Sequence, residues 1–261
     1  MTTPTIPAPS TTRSPSTPLG PALRQLTLAE SRRLTREPMF LVGTVGFPVL
    51  FYALFGLPRN GLPAIASQVT LLNLAAFSLV SLSLFSFGAN VAAERTGGWL
   101  RLMRTSPVPL PVYIAAKVLA AWMYGALSLG LLFSFAGLVG GVWLGTAGLL
   151  AALKLLLGMS SLVALGLAIG FLVRPAAAPV VANVASLLLV FASGLAMPLE
   201  MLPAGLARVA PLLPTYHLGV VGRSPLLDSD YEALSWLALL GYTLLFGTVA
   251  AWALRRDEAR E

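Results

Sequence analysis

Six mostly apolar runs, each long enough to cross a bilayer, divide this chain and set its fold class before anything else. In hydrocarbon no water satisfies backbone N–H and C=O groups, so such a run must satisfy them internally, as an α-helix. The runs cover residues 39–57, 63–93, 112–139, 153–173, 179–197 and 233–254. They predict an all-α polytopic membrane protein with six transmembrane helices. Composition agrees: of 261 residues 57% are hydrophobic and 10% charged, and mean hydropathy is +0.83, whereas a soluble domain carries about 25% charged residues.

A net charge of +7 would suggest nucleic acid in a soluble protein. Here the basic residues flank the apolar runs, so topology accounts for them and no nucleic-acid partner is expected. Arg13, Arg24, Arg32, Arg33, Arg36, Arg95, Arg101, Arg104, Lys117, Arg174, Arg255, Arg256 and Arg260 fall on one side, leaving Arg59, Lys154, Arg208 and Arg223 for the other. That asymmetry predicts both termini in the cytoplasm and the lipid bilayer as a partner. The chain has no cysteine, hence neither a disulfide framework nor a thiolate metal site.

Residues 1–20 are rich in Thr, Pro and Ser and contain no apolar core, which predicts a disordered cytoplasmic tail rather than a signal peptide. Residues 21–37 place Leu23, Leu26 and Leu34 at helical spacing among Arg24, Arg32, Arg33 and Arg36, the pattern of an amphipathic interfacial helix. Residues 38–254 form the six-span domain, and 255–261 a second cytoplasmic tail.

Within the spans, Gly46 and Pro48 predict a kink in the first, and Gly194 and Pro198 a second hinge near the end of the fifth. The second span carries Asn73, Ser78, Ser81 and Asn90, which read either as pathway groups or as helix-packing groups. Lys154, inside the fourth span, reads as a substrate or ion contact or as a side chain snorkelling to the interface. His217, after Pro214 in a partly apolar external segment, reads as a packed or interfacial side chain. With no acidic residue inside the assigned spans, nothing suggests a proton relay, and no catalytic or metal site is expected.

The segment VAAERTGGWLRLMRTSPVP, residues 91–109, interrupts the oil with charge. A helix starting at Glu94 would set that carboxylate at the positive end of its dipole. Trp99, Leu102 and Met103 would then share one face, with Arg101 and Arg104 on another, until Pro107 and Pro109 stop it. No GxxxxGK[ST] occurs, so the chain has no phosphate loop of its own, and neither lysine follows a glycine.

This segment resembles the cytoplasmic loop between spans two and three of type-2 ABC exporter permeases, through Glu94, Arg95, Gly97, Leu100, Leu102, Thr105, Ser106, Pro107 and Val108, followed by Tyr113 and Lys117. The stretch LTREPMFLVGTVGFPVLFYALFG resembles the family's basic entry helix and Pro-kinked first span. SGLAMPLEMLPAGLARVAPLLPTYHLGVVGR resembles its fifth span and external helical hairpin, here 199–226, and the last span ends in an Arg-rich tail. The resemblance covers residues 23–256.

It implies a cytoplasmic coupling helix at 94–106, with Glu94, Arg95, Gly97, Trp99, Arg101, Leu102 and Arg104 contacting an ATPase. It further implies the membrane subunit of an ABC exporter in a bacterial-type cell membrane. The partners would be two ABC ATPase subunits and a second copy of this permease or a homologous one. The chain would bind no cofactor itself, ATP and magnesium belonging to the partner. The alternative is a stand-alone channel or secondary transporter not driven by ATP; a non-transporting anchor has the same composition.

Overall fold

A computed structural model describes residues 19–35, 46–58, 63–97 and 109–258, and every described element is a helix. Helix α1 (Leu19–Thr35) precedes α2 (Phe47–Phe51), which runs on into a π-helical turn, Tyr52–Gly56. Helix α3 (Ala64–Leu84) continues through a second π turn, Phe85–Ala89, into α4 (Asn90–Thr96). Then come α5 (Leu110–Gly140), α6 (Gly145–Gly158), α7 (Ser160–Leu172) and α8 (Ala178–Ala192). Two short helices, α9 (Ala204–Val209) and α10 (Pro214–Arg223), lead to α11 (Glu232–Glu258).

Among the described residues, four stretches are long and apolar enough to cross a membrane: Ala64–Thr96, Pro111–Gly140, Gly145–Leu172 and Glu232–Arg256. They match the expected second, third, fourth and sixth spans. The fourth begins earlier than residue 153, because Gly141 (φ 65°) closes α5 in the left-handed conformation and Gly145 (φ 56°) lets the chain reverse. The small and apolar residues after Gly145 then simply continue the helix. Lys154 therefore lies well inside this helix and not in its first turn.

Among the described residues, the apolar helices of the other two expected spans are shorter. Of the first, Phe47–Gly56 is described; residues 39–45 lie outside the described residues. The fifth falls short of the expected residue 197: α8 stops at Ala192 and Gly194 turns the chain at φ 79°. At 1.5 Å per residue α8 spans about 22 Å, less than a hydrocarbon core of about 30 Å.

Helix α3 forms the centre, packed against α5, α7, α8 and α10. It approaches α7 at Gly166, where a Cβ would lie 2.4 Å from the Ser83 carbonyl oxygen. One turn on, a Cβ at Gly170 would meet Val91 Cβ at 2.9 Å and the Gly88 carbonyl oxygen at 3.0 Å. Two glycines at i and i+4 thus let backbone meet backbone, the small-residue packing that replaces the hydrophobic drive between helices in lipid. Helix α11 covers the far side of α7 through Ala250, Ala253 and Leu254, and turns Leu234, Leu237, Leu240, Leu244 and Leu245 outward.

Of residues 21–37, those up to Thr35 belong to α1, and residues 36–37 lie outside the described residues. Instead of standing clear, α1 lies along α5: Ala22 and Thr27 are buried, and Tyr124 donates to the Ser31 carbonyl oxygen.

Candidate functional site

The end of the bundle that carries Arg95, Lys117 and Arg174 holds a buried ion cluster. Lys117, the eighth residue of α5, is 1% exposed, and its ammonium lies 2.9 Å from both Glu30 Oε1 on α1 and Glu94 Oε1 on α4. Tyr113, one turn earlier on α5, donates to the other Glu94 oxygen, and its ring stands 5.1 Å from the ammonium. Spacing explains the pair, since positions four apart on a helix share a face. A buried charge is tolerated only when paired and hydrogen-bonded, and Lys117 answers two carboxylates from two other helices.

Glu94 itself departs from the sequence expectation. Helix α4 runs to Thr96, so Glu94 sits in the last turn of a helix and not in the first turn of a new one. There its charge faces the negative end of the dipole; Lys117 and Tyr113 offset that cost. The next residue, Arg95, turns the other way: its Nη1 donates to the carbonyl oxygens of Gly170 (3.0 Å) and Val173 (3.1 Å). These are end-of-helix carbonyls of α7, left without intrahelical donors, and a guanidinium there also suits the dipole. Gly97 closes α4 by donating its N–H to the Ala93 carbonyl at 3.0 Å.

Consecutive residues on α4 thus fasten α1 and α5 on one side and α7 on the other. Between α1, α4 and α5 lies a cavity of about 380 Å³, walled by Leu26, Ala29 and Ala93 with the three charged groups in its lining. Trp99, Arg101, Leu102 and Arg104, the rest of the expected coupling helix, lie outside the described residues.

The remaining candidates separate. Gly46 and Pro48 sit in helical backbone, with the irregularity following them at the Tyr52–Gly56 π turn. Gly194 makes the turn after α8, and Pro198 caps the 3₁₀ turn Leu199–Met201. The Ser78 hydroxyl shares a hydrogen bond with Ser128 on α5. Asn73 meets a different partner, accepting from Arg223 Nη1 on α10. Ser81 and Asn90 are half-buried on α3 and α4.

Lys154 pairs across helices. Its ammonium is held by Glu232 Oε1 at 2.6 Å and Ser224 Oγ at 2.9 Å, tying α6 to the start of α11, where Trp236 also donates to Glu232. His217 is buried, with Nδ1 3.1 Å from Ser235 Oγ and its ring between Tyr216 and Tyr242. Burial lowers its pKa, opposed by a hydrogen bond with the Pro211 backbone.

Sequence reasoning passes over Glu30, Arg223 and the pair Gly166–Gly170. Signals for them exist: a lysine within an apolar run demands a carboxylate, and GLAIG is a small-xxx-small pattern.

Residues 59–252 match the family model described as ABC-2 family transporter protein. Over 250 residues the chain is 26% identical to the protein of Bacillus subtilis (strain 168) named "Putative transport permease YvfS", covering 91% of this chain and 98% of that one.

Proposed function

The chain belongs to the ABC-2 family of membrane transporter proteins, and from that premise we propose that it is the membrane subunit of an ATP-driven exporter. It is a transport permease with membrane-capable helices. In the proposed complex two copies, or one copy and a homologous permease, enclose the pathway, and two separate ATPase subunits bind ATP and magnesium. The basic end of the bundle faces the cytoplasm, where residues 94–106 dock on the ATPase.

The observation that carries this reading is the anchoring of residues 94 and 95. A push on the segment after them has three places to go: into α1 through Glu30, into α5 through Lys117, and into α7 through the carbonyls that Arg95 holds. The same segment re-enters the bundle at α5, whose fourth and seventh residues, Tyr113 and Ala116, line the cavity beside Glu94. A rigid cluster at that point converts motion outside the bundle into relative tilt of its helices.

The test is capture. A tagged chain should retain an ABC ATPase encoded beside it, and Arg101→Glu or Arg104→Glu should lose the ATPase or uncouple its hydrolysis while the chain stays folded. A chain that purifies without an ATPase and conducts ions in a bilayer would overturn the reading in favour of a channel.

A further inference from the structure

The opposite end of α3 carries a cation that no carboxylate balances. Asn73 lies about 30 Å from Glu94 along the continuous helix at 1.5 Å per residue, so the Asn73–Arg223 contact and the Glu94 clamp sit roughly one hydrocarbon thickness apart. A guanidinium has five N–H donors. Among the described residues the Arg223 guanidinium makes one hydrogen bond, to Asn73 Oδ1, and no ion pair. Glu232, on the helix that packs against α10, is occupied by Lys154, and the neighbouring Ser224 hydroxyl serves Lys154 as well. Asp228 and Asp230 are exposed and pair with neither cation. Among the described residues Lys154 therefore has a carboxylate partner and Arg223 has none.

The guanidinium is also positioned. It folds back over Gly219, where a Cβ would come within 3.0 Å of Arg223 Nη1 and 2.8 Å of Leu195 Cδ2. Its partner Asn73 lies on a less-covered stripe of α3, formed by Thr70, Asn73, Phe77 and Ser81 at spacings of three and four. That stripe mixes hydroxyl, amide and ring, unlike the leucine-rich outer face of α11. A fixed, partly buried cation with unused donors is expensive unless something pairs with it.

We propose that Arg223, positioned by Asn73 and Gly219, binds the oxyanion headgroup, phosphate or carboxylate, of an amphiphile lying along the half-covered face of α3. The fork of N–H groups matches such oxygens two at a time, and Phe77 and Phe85 offer the tail an apolar continuation down the same stripe. The proposal rests on the transport reading and narrows the cargo to anionic amphiphiles.

The full chain in neutral detergent would be titrated with dioleoyl phosphatidylglycerol, dioleoyl phosphatidylcholine or inorganic phosphate, following thermal unfolding. An Arg24→Gln/Arg32→Gln background removes headgroup binding at α1. Phosphatidylglycerol should raise the midpoint by several degrees beyond phosphatidylcholine; Arg223→Gln should abolish that difference, Arg223→Lys keep part of it, and Asn73→Ala weaken it. If Arg223→Gln does not fold, the lysine and Asn73 variants still decide. A difference that survives all three variants overturns the proposal. An equal, Arg223-dependent shift with inorganic phosphate overturns the amphiphile and leaves a free-anion site. ATPase capture by Arg223→Lys separates failure here from failure of the transport reading, which would lose capture in the unaltered chain too.

Discussion

The Lys117 ammonium lies 2.9 Å from the Glu94 carboxylate, and both groups are withdrawn from solvent. Removing one member of such a pair leaves the other buried and uncompensated, at a cost of about 3–5 kcal/mol. Lys117→Met should therefore lower the unfolding midpoint more than Glu30→Gln, which leaves Lys117 and Glu94 paired. Combining Lys117→Met with Glu94→Gln should restore part of the loss. Thermal unfolding of the single and double variants completes the cycle, and simple additivity would refute the pairing.

The α3–α7 contact gives a steric prediction. Gly166→Ala would set a methyl 2.4 Å from the Ser83 carbonyl oxygen, a backbone atom that cannot rotate aside, whereas nothing lies within 4 Å of a Cβ at Gly130. Overpacking costs typically about 1–3 kcal/mol. Gly166→Ala should fall in or above that range and Gly130→Ala should be neutral or stabilising in the same assay.

Tyr52 yields a result of opposite sign. Its side chain is fully buried and its hydroxyl has no hydrogen-bond partner among the described residues, while its ring lies over Gly56. Tyr52→Phe removes an unsatisfied polar atom and should be neutral or stabilising, by about 1 kcal/mol at most. Gly56→Ala, whose methyl would strike the Tyr52 ring at 2.1 Å, should destabilise.

His217 sets a pH dependence. Burial depresses its pKa in the folded chain below the ordinary value of 6.5, so the unfolded chain takes up a proton first on acidification. Its contribution is then complete above pH about 6.5 and is lost as pH falls through the lower, folded value. His217→Gln should flatten the fall in unfolding midpoint between pH about 7 and 5. An unchanged slope would show that other groups cause it.

Much of this architecture can be read from residues alone because membrane helices announce themselves by length and oil. The helices containing Asn73, Lys117, Lys154 and Tyr242 all follow from hydropathy. Hydropathy fails where a run is interrupted by conformation and not by polarity. Gly194 ends α8 at φ 79° within a stretch that still scores as apolar, and Gly145 starts α6 earlier than its hydrophobic centre suggests. Glu94 stands out in the sequence by its setting, yet Glu30, which shares Lys117 with it, lies 64 positions away on a helix whose pattern suggests a free amphipathic flank. Pairing across that distance is a tertiary fact, and only the place of Lys117 within an apolar run hints at it.

The close approach of Gly166 to the Ser83 carbonyl has a mechanical meaning. Side chains at a helix seam act as cushions, because each can change rotamer and absorb a displacement. Here no side chain intervenes, so the seam has almost no compliance, and a displacement of α3 reaches α7 undiminished. Whatever elasticity the bundle possesses must reside elsewhere: in the two π turns, and in the turn at Gly194 where α8 hands over to the short helices beyond it.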